Sequence, residues 1–327
     1  MAQIPPTSAE VKVADASTTD TSLAASTRGV TTARGRSIGA NFLDYGGSFL
    51  FVVPYLLFFI AFLLGPLVYA FILSLHKWDT LTGDQGFIGL DHYKTFLFNS
   101  SDIHFHDFYA ALEHTLIFTV ITVPLLVGLG LVLALLVAES PGRSFWRAIF
   151  YLPNVLSVAV VCALWLWIFQ TGGLADTYLH QNINFIQNQP WAWIVLIVTT
   201  LWWTVGGNMV ILLAGVVEVP KDYHEAAKID GANGLQRILY ITIPILRPIL
   251  AFVTITTMLG SVAMVGQSLL ITQGGPDQST ETIFLYIYHQ GFDQASLGTA
   301  AAMSFVVGLI MVVISVSALK FFRASEA

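Results

Sequence analysis

Charged residues are scarce in this chain: Asp, Glu, Lys and Arg make up 10% of its 327 residues, against about 25% in an average soluble domain. Cysteine is scarcer still, and the single Cys162 excludes an intrachain disulfide. Hydrophobic residues account for 55% of the sequence, and the mean hydropathy is +0.72. This balance excludes a soluble globular enzyme, a disordered chain and a nucleic-acid-binding protein. It predicts an integral membrane protein.

Several chemical motifs are also missing. The sequence has no G-x-x-x-x-G-K-[ST] phosphate-binding loop, so we do not expect the chain to hydrolyse ATP by that route. The apolar runs contain no ionised residue except Lys320 at the edge of the last, which argues against a proton-driven carrier. A sodium site built from backbone carbonyls stays open. If the protein moves a solute uphill, the energy must come from another chain.

Six apolar runs are long enough to cross a bilayer, which takes roughly 20 residues in a helix. The runs cover about residues 49–75, 115–138, 149–169, 193–217, 249–271 and 298–321. They do not alternate apolar and polar residues as the strands of a membrane barrel would. The predicted fold class is therefore an all-α polytopic membrane protein with six transmembrane helices.

The distribution of positive charge predicts the orientation of these spans. All lysines and arginines except Lys77 and Lys94 fall on the side that the two termini share. Basic loops stay in the cytoplasm, so we predict a multi-pass protein of the cell membrane with both termini cytoplasmic. Residues 1–44 are rich in Ser, Thr and Ala, which predicts a disordered cytoplasmic leader before a membrane domain at 45–327.

The external loop between the first two spans contains several metal-ligand types. His92, His104 and His106 stand near Asp102 and Asp107. These side chains could bind a metal, but no helical spacing brings them together. The alternative interpretation is a solvated acidic loop, and no metal site is assigned.

The cytoplasmic segment 218–247, between the fourth and fifth spans, carries the clearest signal. Asp222 and Glu225 have the spacing of a capping box, which predicts a short helix of about two turns. Gly231 is placed to end it. The alanines would let a partner groove approach closely, and Glu225 offers a charge to a partner Arg or Lys. A surface helix at the membrane interface is the alternative.

This segment, EAAKIDGANGLQRILYITIP, resembles the EAA loop of ABC-importer permeases. The match falls on Glu225, Ala226, Ala227, Gly231, Ile241 and Pro244, with Ile243 in place of the usual Leu. Further segments at 87–97, 147–174, 271–292 and 297–310 are similar to the carbohydrate branch of that family. This branch includes the maltose, lactose and glycerol-3-phosphate permeases, and the likeness is to the first of the two paired subunits.

The resemblance implies the type I ABC-importer permease fold with a cytoplasmic coupling helix. In the family this helix docks in a cleft of a separate dimeric ATPase. The implied coupling residues are Glu225, Ala226, Ala227, Asp230, Gly231 and Ala232. The ATPase would bind ATP and Mg, so this chain would hold no cofactor and would not be an enzyme.

The same resemblance implies further partners. These are a second, different permease subunit, an extracytoplasmic sugar-binding protein and the surrounding lipid. The external loop at Gly274, Gly275 and Pro276 would face the binding protein, unless it is a simple connection. The expected function is a permease subunit of an ATP-driven, binding-protein-dependent sugar importer that works by alternating access. The alternative is a stand-alone secondary carrier or channel for a small neutral solute.

A sugar needs aromatic surfaces together with uncharged donors and acceptors. The fourth and fifth spans offer such groups, and the resemblance points to the same two spans. The candidate pathway residues are Trp202, Trp203, Asn208, Ser261, Met264 and Gln267. Thr257, Ser261, Met264 and Ser268 have the spacing of one helical stripe. Helix packing is the alternative role for the small residues.

Overall fold

The computed structural model describes residues 52–179 and 183–324. The predicted leader at 1–44 lies outside the described residues. The chain divides into two compact units, residues 1–60 and 61–327. Of the first unit, the described residues 52–60 are helical. The loops, the cavity and the helix contacts considered below belong to the second unit.

Six helical segments among the described residues are long and apolar enough to cross a membrane, so the predicted six-span fold class is confirmed. They are α1 (Val52–Ser74), α3 (Ile103–Glu139), α5 with α6 (Val158–Phe169 and Leu174–Leu179), α7 (Trp191–Glu218), α9 (Gly234–Val262) and α11 (Leu297–Ala324). The shorter helices are α2 (Asp91–Phe98), α4 (Arg143–Val155), α8 (Lys221–Ile229) and α10 (Ile283–Tyr288). Strands β1 (His76–Asp79) and β2 (Gly83–Phe87) form an antiparallel hairpin outside the spans.

Helix α3 is much longer than its apolar run predicts, because it begins at Ile103 rather than near residue 115. The Asp102 side chain caps it by accepting a 2.9 Å hydrogen bond from the His104 backbone N–H. The added turns bury Phe108 and Ala111 against Ile283 and Met303. The histidines and acids in this stretch conceal its buried face, since a hydropathy average does not separate the two sides of a helix.

Two of the predicted spans are interrupted rather than continuous. The third run is divided at Leu156 and Ser157, between α4 and α5. The fifth run leaves the helix after Val262, and a short helical segment that includes the π-helical turn Ser268–Thr272 follows. The prediction that 249–271 is one helix is therefore wrong. The predicted helical stripe of Thr257, Ser261, Met264 and Ser268 is wrong for the same reason, because the helix ends at Val262.

The core is organised around the contact between α3 and α7. Helix α7 also packs on α4 and α9, and α9 contacts α3 and α11. A buried cluster joins Ala134 of α3, Met209 and Leu212 of α7, and Val253 of α9. Gly206 lies where α7 meets α4, and a Cβ there would collide with the carbonyl oxygen of Phe150. Small residues permit this kind of close helix approach within a membrane.

Replacing Gly206 tests this contact. We expect Gly206→Ala to destabilise the protein by about 1–3 kcal/mol, since overpacking forces backbone shifts. Gly128→Ala in α3 is the matched control, because nothing lies within 4 Å of its added Cβ. Thermal unfolding in detergent measures both variants. Equal melting temperatures for the two would contradict the close approach of α4 and α7.

Candidate functional site

The two helix interruptions lie next to each other. A Cβ at Gly266, just past the break in the fifth run, would meet the Val158 side chain at the start of α5. The Leu156 carbonyl accepts a 3.1 Å hydrogen bond from the Trp203 indole N–H. The Met264 carbonyl accepts a 2.8 Å bond from the Thr282 hydroxyl. Since an unpaired backbone group in a membrane costs several kcal/mol, these two side chains stabilise both breaks.

A cavity of about 550 Å³ lies beside these breaks, within the size range of small-molecule sites. Residues of α3, the α4–α5 junction, α7 and α9 line it, as do residues 263–267. None of the lining residues in the described part of the chain is Asp, Glu, Lys, Arg or His. The cavity therefore offers a mixed apolar and neutral polar surface.

Five of the six candidate pathway residues line this cavity, namely Trp203, Asn208, Ser261, Met264 and Gln267. Trp202 does not line it. Its ring makes an edge-to-face contact with Trp165 at 5.7 Å and is 37% exposed. Adjacent residues on a helix point in different directions, so two neighbouring tryptophans do not share one site.

The structure adds lining residues that the sequence did not indicate, above all Asn154, Thr200 and Thr204. Asn154 is the one carboxamide in an otherwise mostly apolar run, and that was the available signal. The stripe residue Ser268 is outside the cavity lining, and its hydroxyl donates to the Thr280 carbonyl at 2.6 Å. The break after Val262 removes the helical register that the stripe assumed.

Three carboxamides of the cavity donate hydrogen bonds to the protein. Asn208 Nδ2 donates to the Thr257 hydroxyl at 2.9 Å. Gln267 Nε2 donates to the Thr200 hydroxyl at 3.3 Å, and Asn154 Nδ2 donates to the Trp203 carbonyl at 3.4 Å. These bonds connect α4, α7 and α9, and they hold each amide in one orientation.

The short helix α8 forms in the predicted place, but its start differs from the prediction. Pro220 is the N-cap, Asp222 lies in the first turn, and α8 has no side-chain cap. The predicted capping box at Asp222 and Glu225 is therefore wrong. A capping box does form at the start of α9, where Asn233 and Gln236 bond reciprocally at 2.8 and 2.9 Å.

Gly231 ends α8 as predicted, immediately after the C-cap Asp230. Its φ is +82°, a left-handed conformation that glycine adopts without strain. The Gly231 N–H donates to the Lys228 carbonyl at 3.1 Å, and the Ala232 N–H donates to the Ala227 carbonyl at 2.8 Å. This pair of bonds is a Schellman motif, which sets the direction in which the chain leaves α8.

The surface of α8 is open. No residue of the helix is buried, and Ile229 is 88% exposed. Glu225 and Ala226 are exposed, and Glu225 forms no ion pair within residues 52–179 and 183–324. An exposed apolar side chain next to an unpaired carboxylate is suited to contact with a partner.

The loop at Gly274, Gly275 and Pro276, which is predicted to be external, folds back on the protein. Gly274 is buried with φ +77°, and its carbonyl accepts a 3.0 Å bond from the Thr280 N–H. The Thr280 hydroxyl donates to the Gly275 carbonyl at 2.7 Å. The exposed tip consists of the next two residues, Asp277 and Gln278.

The three histidines considered as metal ligands bond separately rather than together. His92 Nε2 donates to the His76 carbonyl at 3.1 Å, and burial lowers the pKa of His92 below its ordinary value of 6.5. His104 contacts the Tyr286 hydroxyl, and His106 contacts the Ser100 carbonyl. Across the described ranges, no group of three His, Cys, Asp or Glu residues could hold a metal ion.

A buried carboxylate lies beside the loop at Gly274, Gly275 and Pro276. Glu281 Oε1 contacts His289 Nδ1 at 2.7 Å, and the Glu281 carbonyl contacts His114 Nδ1 at 3.1 Å. Burial raises the pKa of the Glu281 carboxyl above its ordinary value of 4.5, and the bond to His289 opposes part of that rise. The nearby Asp107 raises this pKa further, and His114 lowers it.

A helical protein with six spans and a neutral cavity beside interrupted helices belongs to the class of membrane transport proteins. A family model described as binding-protein-dependent transport system inner membrane component matches residues 126–326, and the chain belongs to this family. The predicted relation to ABC-importer permeases is thereby confirmed, and the chain is an ABC transporter permease. The alternative of a stand-alone carrier or channel is wrong.

Two relatives are similar over most of their length. The arabinooligosaccharides transport system permease protein AraP of Bacillus subtilis is 30% identical, over 83% of this chain and 87% of the relative. The lactose transport system permease protein LacF of Rhizobium radiobacter is 30% identical, over 89% of this chain and 98% of the relative.

The fold is also similar to a solved structure. A chain from a bacterial ABC transporter involved in the import of the acidic polysaccharide alginate superposes with a TM-score of 0.73 at 24% identity. The match covers 88% of this chain and 97% of that chain. The predicted type I permease fold is confirmed.

The raised pKa of Glu281 predicts a pH-dependent stability. The folded protein holds the Glu281 proton more tightly than the unfolded chain does, so the stabilisation is complete below pH 4.5 and decreases as pH rises through the higher folded-state pKa. We expect Glu281→Gln to flatten this part of the curve of melting temperature against pH. Asp277→Asn, an exposed neighbour, should follow the wild type. A Glu281→Gln curve parallel to the wild type would contradict the raised pKa.

Proposed function

We propose that this chain is one permease subunit of an ATP-driven importer of sugars, and that the sugar crosses the membrane through the cavity between α7 and the interrupted fifth span. A second, different permease supplies the other half of the pathway. A separate dimeric ATPase binds ATP and Mg, and an extracytoplasmic sugar-binding protein delivers the solute. The relatives named for arabinooligosaccharide and lactose transport support a sugar as the solute.

The connection of α8 to the cavity is the observation that carries this proposal. Helix α8 follows α7 through Val219 and Pro220, and the Schellman turn and capping box lead from it into α9. Both α7 and α9 line the cavity. At about 1.5 Å per residue, α9 extends roughly 40 Å from Gly234 to the cavity residue Ser261. A displacement of α8 would therefore move both walls.

The charge distribution supports a location of α8 on the cytoplasmic side of the membrane. Basic residues lie in and after α8, namely Lys221 and Lys228 within the helix and Arg237 beyond it, and positive loops stay in the cytoplasm. This orientation leaves both termini in the cytoplasm, where the ATPase would meet the exposed coupling residues Glu225 and Ala226. It places Asp277 and Gln278 on the outside, available to the binding protein.

Two substitutions in the coupling segment test the proposal. Glu225→Lys reverses a charge that would be desolvated on docking, and loss of such a pair costs about 2–5 kcal/mol. Gly231→Val strains the left-handed turn by about 1–2 kcal/mol and redirects the chain after α8. We expect each to lower ATP-dependent sugar uptake at least about tenfold in cells that contain the complete transporter, with unchanged amounts of the protein in the membrane.

Matched controls exist in the preceding cytoplasmic loop. Gly142 has φ +77° with nothing within 4 Å of an added Cβ, as Gly231 does, and Glu139 is exposed. Gly142→Val and Glu139→Lys should retain uptake. Wild-type uptake in both coupling variants, or an equal loss in the controls, would refute the proposed role of α8.

A further inference from the structure

We infer that the cavity selects neutral, hydroxyl-rich solutes and rejects anionic ones, and that Asn154, Asn208 and Gln267 determine this selectivity through their carboxamide oxygens. This inference rests on the proposed function and assigns the charge class of the solute. The fold does not decide that class, because a protein of the same fold comes from a transporter for an acidic polysaccharide.

The orientation of the three amides is the first argument. Each nitrogen donates to a protein acceptor: the Trp203 carbonyl, the Thr257 hydroxyl and the Thr200 hydroxyl. Each oxygen accepts no hydrogen bond from residues 52–179 or 183–324, and none is among the buried polar atoms without a partner. The oxygens therefore border open space, and the cavity presents three hydrogen-bond acceptors.

Several other donors of the lining are bonded within the protein. The Thr200 and Thr204 hydroxyls donate to backbone carbonyls one turn earlier, at 2.8 and 2.7 Å, and the Trp203 indole N–H donates to the Leu156 carbonyl. The Thr257 and Ser261 hydroxyls accept hydrogen bonds, and each amide nitrogen keeps a second N–H. The described lining therefore offers a solute uncharged donors and acceptors but no ionised group.

Chemistry then decides which solutes fit. A polyol donates its hydroxyl hydrogens to carboxamide oxygens. A carboxylate or phosphate accepts hydrogen bonds only, and the lining would offer it uncharged N–H and O–H donors, with no cation among the described lining residues to pair with its charge. An uncompensated ion taken from water carries a large desolvation penalty. The lining therefore favours neutral sugars over uronates and sugar phosphates.

Equilibrium binding separates these classes. The full chain, purified in nanodiscs with the subunits that copurify and without the binding protein, is dialysed against radiolabelled probes. The neutral probes are glucose, galactose, arabinose, lactose and maltose, and the matched anions are glucuronate, galacturonate and glucose 6-phosphate. We expect at least one neutral sugar to bind at least about a hundredfold more tightly than its anionic counterpart.

Variants assign the effect to the amides. Gln267→Met and Asn208→Leu preserve volume and should weaken neutral-sugar binding about threefold to tenfold. Gln267→Lys adds a cation and should create galacturonate binding. Gln85→Met is the matched control, because its nitrogen also donates to a threonine hydroxyl, in the β1–β2 hairpin. Melting temperatures show whether each variant is folded. The comparison of neutral with anionic probes uses the wild-type protein, so it does not depend on any variant folding.

The outcomes are distinct for the two proposals. Anion binding that equals or exceeds neutral binding, or no binding by either series, overturns the selectivity assigned here. Unchanged neutral binding in both amide variants overturns the role of those residues. ATP-dependent uptake by the complete transporter is measured separately, and its absence for every probe would refute the proposed function instead.

Discussion

The requirement that every backbone polar group inside a membrane be satisfied governs this structure. Two helices are interrupted next to the cavity, and each interruption frees a carbonyl that water cannot solvate in the lipid core. Trp203 and Thr282 donate to these carbonyls, from α7 and from the segment just before α10. Side chains from other elements thus stabilise both breaks. The cavity lies beside these two stabilised breaks.

This arrangement makes the cavity sensitive to helix position. Trp203 supports the α4–α5 break while its own carbonyl accepts from Asn154. A shift of α7 relative to α4 would disturb both bonds together, so these helices have few intermediate positions in which all groups are paired. A two-position arrangement of this kind is what alternating access requires, and α8 follows directly on α7, the helix whose shift would break these bonds.

Hydropathy was sufficient to predict the six spans, because it depends only on the total apolar content of each run. It was insufficient for the breaks: Asn154 and Ser157 lie in an apolar run whose average hides them. Trp202 and Trp203 were both assigned to the pathway because they were chosen by residue type. Residue type alone does not say which side of the helix each ring faces. Gly231 was predicted correctly, since its role depends only on the local segment from Ala227 to Ala232. The cap of α8 at Pro220 depends instead on where α7 ends.

In the proposed transport cycle the cavity is empty part of the time, so its lining must be stable without a solute. An ionised side chain would lose its counter-charge whenever the solute left, at a cost of several kcal/mol in a site of low polarity. A carboxamide whose nitrogen is bonded to Thr200 or Thr257 remains half satisfied without solute, and its oxygen needs only a water molecule. Carboxylates such as Glu281 lie instead away from the cavity lining, with Glu281 Oε1 against His289 Nδ1. Neutral amides in the cavity and titratable groups outside it are thus two consequences of one solvation constraint.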